Sequence, residues 1–336
     1  MNRVSSFLFI VFLSVSCWHP DSGLLSVNID KALKKSVSIH DLCSQVDLVS
    51  LSYPGEIGIG DEKQFRMDVG KNRLFLLEKE KNEILVFDEG GTYLTSISCS
   101  DTIIDFSVYR DQSLVVLTTN TIIEYSITDC TVVGTFQLGN NKVTLKSVSR
   151  VDDDTIDVIG YLNGKAYDCG YLVNQSRFYS VESPVFSASE YKNSRFFHCN
   201  DSTFSFCTMS GEIDYFSNDD FIWPEYEWDF GKRSSHSLFF TNAQKMTDRI
   251  YLAFQRDADD YVLVYSLSDG SYNVIQKTKE GIVFPLGVIY KGYNYFCCQS
   301  STLSDYLLME MLDENGTEKY RASIAKNCPL VIKYRL

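Results

Sequence analysis

The feature that most constrains this chain is a recurrence. From Gln45 to the C-terminus, short alternating or apolar runs follow one another, separated by turn residues and almost free of helical periodicity. They fall into six groups of four. The first is Gln45–Ser52, Asn72–Lys79, Glu83–Asp88 and Thr92–Cys99, and the second Ile103–Arg110, Ser113–Thr119, Thr121–Thr128 and Thr131–Leu138. The third is Thr144–Val151, Thr155–Leu162, Tyr167–Asn174 and Arg177–Glu182, and the fourth Arg195–Cys199, Thr203–Met209, Glu212–Phe216 and Glu225–Phe230. The fifth is Leu238–Thr241, Arg249–Gln255, Tyr261–Leu267 and Ser271–Lys277. The last is Val283–Tyr290, Tyr293–Gln299, Tyr306–Leu312 and Leu330–Tyr334, with a long connection around Asp313–Gly316 before its final strand. Residues 45–336 divided by six give about 49 residues per group, the period of propeller blades.

The patterning within the runs supports an all-β, six-bladed β-propeller of four antiparallel strands per blade. In Glu225–Phe230, Tyr226, Trp228 and Phe230 share one face while Glu225, Glu227 and Asp229 share the other, as in a half-buried outer strand. Ile84–Phe87 and Leu114–Leu117 are apolar on both faces, as strands packed between neighbouring blades should be. A pair of β-sandwiches is the alternative, but the even recurrence and the lack of a Cys-Trp-Cys core favour radial closure. A ring closes most simply when strands from both chain ends share a sheet, so Gln45–Ser52 and Leu330–Leu336 are expected to pair.

Residues 1–17 read as a secretion signal. Arg3 supplies positive charge, Phe7–Leu13 (FLFIVFL) an apolar core too short to span a bilayer, and Ser14–Cys17 a small-residue cleavage site. The segment resembles a bacterial lipoprotein signal, which implies cleavage before Cys17, acylation of that residue and attachment to a membrane through the lipid. Residues 18–44 are then tether and lead-in, and 45–336 the propeller. A lone Asp21 in the tether leaves the periplasmic and surface faces of the outer membrane both open.

The chain carries 31 Lys+Arg against 44 Asp+Glu, a formal −13, so no nucleic-acid partner is expected. No G-x-S-x-G, H-E-x-x-H, phosphate loop or dinucleotide fingerprint occurs, and no catalytic residue or cofactor is assigned. Gly55–Gly60 reads as a turn, and Asp152–Asp154 and Asp257–Asp260 as hairpin tips without calcium-loop spacing. The ten cysteines show no CxxC. His198-Cys199 with Cys207 is the nearest approach to a ligand cluster, and no metal is assigned. Cys297-Cys298 should point to opposite faces of a strand, and most cysteines read as small apolar fillers. Trp223, placed in an irregular Asn218–Pro224 loop, is the one candidate ligand platform.

Three segments carry a resemblance over nearly the whole mature chain. They are Asn72–Leu77 (NRLFLL) with Glu83–Asp88 (EILVFD) and Gly91–Leu94 (GTYL), then Tyr226–Lys232 (YEWDFGK), and the ending Asn327–Leu336 (NCPLVIKYRL). Together they are similar to the six-bladed β-propeller lipoproteins of Bacteroides-type bacteria, although Ser100-Asp101-Thr102 stands where that family often carries a glycine-rich loop. The resemblance implies an outer-membrane lipoprotein and no particular activity. The expected role is a non-enzymatic binding or scaffold module for a glycan, a peptide or an envelope protein. The alternative is a lyase or hydrolase with its site in the central funnel.

Overall fold

The computed structural model describes residues 23–57, 65–139, 142–187, 195–216, 222–231, 238–326 and 328–336. The signal segment with Cys17, and most of the tether, lie outside them. A lead-in of β1 (Gly23–Ser26), α1 (Ile29–Ala32) and β2 (Gln45–Ser50) precedes six small antiparallel sheets. Blade 1 is β3 (Met67–Gly70), β4 (Arg73–Glu78), β5 (Glu83–Asp88) and β6 (Tyr93–Ser98). Blade 2 is β7 (Ile103–Tyr109), β8 (Ser113–Thr118), β9 (Thr121–Ser126) and β10 (Val132–Gln137). Blade 3 is β11 (Thr144–Arg150), β12 (Thr155–Leu162), β13 (Lys165–Leu172) and β14 (Arg177–Ser187). Blade 4 is β15 (Phe197–Cys199), β16 (Ser202–Phe206), β17 (Ile213–Phe216) and β18 (Ile222–Asp229). Blade 5 is β19 (Phe239–Lys245), β20 (Arg249–Arg256), β21 (Asp259–Ser266) and β22 (Tyr272–Ile275). Blade 6 contains β23 (Val288–Tyr290), β24 (Tyr293–Gln299) and β25 (Pro329–Arg335), and borrows β2 as its outer strand.

The core lies between blades, because each sheet is apolar on both faces and buries each against a neighbour. Ile84–Phe87 and Leu114–Leu117 are fully buried, as their two-sided apolarity requires. The vicinal cysteines follow the pleat. Cys297 packs with Val49, Leu74 and Val331 on the blade 1 side, and Cys298 with Leu48, Phe284 and Ile332 on the blade 5 side. Among the described residues no disulfide forms.

Closure is as the two termini suggest. β25 lies between β24 and β2, pairing Ser50 with Leu330 and Gln45 with Arg335. The structure corrects two other expectations. Gln45–Ser52 belongs to blade 6 and not to the first blade, whose inner strand is Met67–Gly70. Tyr306–Leu312 is not a strand: α2 (Leu303–Tyr306) and a 3-10 turn at Met309–Met311 stand there. The connection after it holds α3 (Glu314–Lys326), which leans on β2 through Lys319 Nζ to the Leu48 carbonyl and Ser323 to Ser50. A helix beside the outermost strand covers an otherwise open sheet edge.

The lead-in is packed as a strap over three blades. β1 adds to blade 4 parallel to β18, Gly23 opposite Tyr226 and Ser26 opposite Asp229. Asn28 N–H then donates to the Tyr272 hydroxyl of blade 5, and Asp30 pairs with Arg256 at 2.7 Å. Glu280 accepts from Ser38 Oγ at 2.6 Å and Ile39 N–H at 2.9 Å, just before the chain enters blade 6. Val27, Ile29, Ala32 and Ile39 are buried beneath it.

Candidate functional site

The inner strands β3, β7, β11, β15, β19 and β23 surround a central channel. Residues of five of the six blades, all but blade 3, line a cavity of about 580 Å³. That size is ordinary for a small-molecule site. Bonds between neighbouring inner strands run at nearly constant sequence offsets. Arg66 meets Asp105 and Phe106 while Asp68 meets Val108; Ser147 meets Phe196 while Ser149 meets His198; Asn242 meets Gly287 while Gln244 meets Ile289. Constant offsets mean that these strands run parallel and in register. The channel therefore has one end carrying strand starts and another carrying the first hairpin turn of each blade.

These bonds form a belt. A polar side chain on one inner strand satisfies a backbone group on the next, which an inner sheet edge would otherwise leave unpaired. Asp68 accepts from Val69 N–H at 2.8 Å and Val108 N–H at 2.9 Å. Asp105 accepts from Arg66 Nε at 2.7 Å, Ser147 Oγ at 2.7 Å and Val148 N–H at 3.3 Å, linking blades 1, 2 and 3. Gln244 Oε1 accepts from Ile289 N–H, and Asn242 Nδ2 donates to the Leu286 and Gly287 carbonyls. Gly287 is required here, since a Cβ would stand 1.9 Å from the Tyr295 carbonyl oxygen.

At the turn end, Arg110-Asp111 closes the β7–β8 hairpin with positive φ at both residues (47° and 55°), a geometry normally left to Asn-Gly. The strain is offset by what Asp111 binds: Lys71 N–H at 2.7 Å, the Tyr290 hydroxyl at 2.7 and 2.8 Å, and Lys291 Nζ at 3.2 Å. Burial draws the Asp111 carboxyl upward, but these three donors outweigh it and hold the group below the ordinary carboxylate range.

His198 and Asp68 are among the other shifted groups at the wall. Burial, with Arg66 and Arg110 nearby, pushes the His198 imidazole down to about 4, so it is neutral at pH 7. Burial pushes Asp68 upward against the pull of Arg66 and its two amide donors. Shifted groups in a cleft are the usual mark of catalysis. Here each is engaged in the wall: His198 Nε2 meets Ser149 Oγ at 3.0 Å and Nδ1 meets Thr203 Oγ1 at 3.3 Å, while both Asp68 oxygens accept backbone N–H groups. With both ring nitrogens engaged, His198 presents no free lone pair to a substrate, while Asp68 is tied to the wall by one backbone amide on each oxygen.

The residues singled out from sequence map differently. Trp223 is not in a loop: it stands in β18, its backbone paired with Tyr215 of β17, on the outer side of blade 4 and away from the channel, and its side chain lies outside the described part. Cys17 also lies outside it. His198 and Cys199 do line the cavity, yet no cluster of metal-ligating side chains occurs among the described residues. Sequence reading missed the belt, whose one signal is a polar residue recurring inside short inner strands at the blade period. Asp68, Asp105, Ser147, His198 and Gln244 are such positions.

No family model matches this chain, and no curated protein is similar to it. Among solved structures, a candidate exported protein of Bacteroides fragilis superposes with a TM-score of 0.67 at 12% identity, over 93% of this chain and 99% of that one. A streptogramin B lyase superposes with a TM-score of 0.51 at 10% identity, over 85% and 96%. At such identities the likeness establishes the propeller fold alone.

Proposed function

We propose that this chain is an envelope lipoprotein, anchored through Cys17, that binds a ligand in the propeller's central funnel and does not transform it. The observation that carries the reading is the state of the funnel's shifted carboxylates and its histidine. Asp68, Asp111 and His198 are engaged in holding blades and turns together, which leaves an open cavity, as much apolar as polar, without an acid–base pair aimed into it among the described residues. The Bacteroides fragilis likeness, from a candidate exported protein, agrees with an envelope address. The tether adds geometry. Gly23 is six residues after Cys17, a span of at most about 20 Å when fully extended, so the outer edge of blade 4 would stand close to the membrane.

The test is a panel of glycans and peptides offered to the mature protein, with binding followed by calorimetry and the compounds recovered for mass spectrometry. A compound that binds and returns intact supports the reading. A processed compound would establish the lyase or hydrolase alternative in its place.

A further inference from the structure

We propose that the funnel is built for a small ligand carrying carboxylate or phosphate groups, with Lys245 as its principal charge contact. This rests on the binding reading above and names the class of ligand. The first observation is a reversal of charge. The whole chain is formally −13, yet the cavity is lined by five cationic side chains, Arg66, Arg110, Arg195, Lys245 and Lys291, against three acidic ones, Asp68, Asp111 and Asp201. Five minus three leaves +2 among the lining side chains, His198 being neutral at pH 7, and +1 when Asp105, which holds Arg66 from just behind the wall, is included. A local excess of positive charge in a low-dielectric cleft attracts anions, even in a molecule whose net charge repels them.

The second observation is how those cations are partnered. Arg66 is held by Asp105 at 2.7 Å, Lys291 by Asp111 at 3.2 Å, and Arg110 lies 3.8 Å from Asp201. Lys245 differs. It ends β19 at the turn end of the channel, half-buried, with its ammonium 5.4 Å from the centre of the Phe204 ring and 5.9 Å from that of Tyr226. Among the described residues no carboxylate pairs with it. Aromatic faces hold an ammonium in place without cancelling its charge, so its field remains available to a guest. A half-buried, uncompensated cation fixed in a cavity is the arrangement that an anionic group entering from water can complete.

The placement sets the ligand's form. Arg66 and Arg195 stand at the end of the channel where inner strands begin; Arg110, Lys245 and Lys291 stand at the other. Arg66 is spent on Asp105 and on the Met67 and Phe106 carbonyls, so the guest's anionic group belongs at the turn end, and about 580 Å³ admits a small molecule there.

The probes are citrate and inorganic phosphate, with glucose as the uncharged control, titrated into the full mature chain by calorimetry at constant ionic strength. Citrate is expected to bind saturably and more tightly than phosphate, and glucose not to compete. Lys245→Gln should weaken citrate at least tenfold, and Lys245→Arg, which keeps the charge, should stay within about threefold of wild type. Lys279→Gln, an exposed lysine outside the channel, should change nothing. Matching melting curves show that all three variants are folded. Undiminished binding in Lys245→Gln, or equal loss in Lys279→Gln, overturns the proposal. So does the absence of any binding of citrate or phosphate. If the wild-type chain then binds an uncharged glycan or peptide from the panel, the anion class falls and the binding reading stands. If nothing binds, both fall.

Discussion

Ending the chain at Pro329 removes Leu330–Leu336, most of a strand that lies inside blade 6 with a partner on either side. Six registered pairs to β2 and six to β24 are lost together. Leu330, Val331, Ile332 and Tyr334 are each at most 1% exposed, and Tyr334 also donates its hydroxyl to the Tyr306 carbonyl. At about 1.5–3 kcal/mol for each such side chain, the four contribute about 6–12 kcal/mol. That is comparable with the whole stability of an ordinary domain, about 5–15 kcal/mol. The loss also strands β2, whose Val46 and Leu48 would face water, and removes the sheet on which α3 leans. Thermal melting and limited proteolysis of the truncated and full-length mature chains provide the assay. The truncated chain should melt far lower or not cooperatively, with early cleavage between β2 and β3. Ile332→Ala gives a graded version and should cost about 2–5 kcal/mol in urea melts. Unchanged melting and protease resistance in the truncated chain would refute the argument, because they would mean that the ring holds without its shared sheet.

Other consequences can be measured directly. Arg66→Met leaves Asp105 buried without its cation and should cost about 3–5 kcal/mol in urea melts, part of which Arg66→Met/Asp105→Asn should recover; strictly additive losses would contradict the belt. His198 is neutral in the fold down to about pH 4, whereas the unfolded chain takes up a proton below about 6.5. Stability should therefore fall as pH drops from 6.5 toward 4, by on the order of 2 kcal/mol between pH 7.5 and 5, and His198→Asn should flatten that slope. Glu280 is held down to about 2 by Ser38 and Ile39, so its grip on the strap should persist at pH 4.5 and fade as pH falls toward 2. Hydrogen exchange at Ile39, compared with Glu280→Gln, reads this. Cys17→Ser should abolish fatty-acid labelling and leave an unprocessed precursor or released soluble protein; labelling that survives would exclude Cys17 as the anchor.

What could be read from the sequence was whatever depends on near neighbours. Alternation in Tyr226–Phe230, two-sided apolarity in Leu114–Leu117 and the opposed faces of Cys297 and Cys298 all follow from the pleat, which acts over two residues. Turn chemistry marked the hairpins, and six even groups implied a ring. The tail's apolar run pointed to closure because an open ring leaves two unpaired edges. Where apolar content alone was the guide, the reading failed. Tyr306–Leu312 has strand-like residues but folds as short helical turns that pack under blade 6, while Met67–Gly70 is too short to stand out. β1 and its strap depend on partners in blades 4 and 5, about two hundred residues away. The funnel was decided by tertiary structure for the same reason. Its belt joins residues 39 to 49 positions apart, and Asp111 meets Tyr290 across 179. No local pattern distinguishes Lys245 from the chain's other lysines. Only the closing of six blades brings it to the wall, over two aromatic rings and without a carboxylate partner among the described residues.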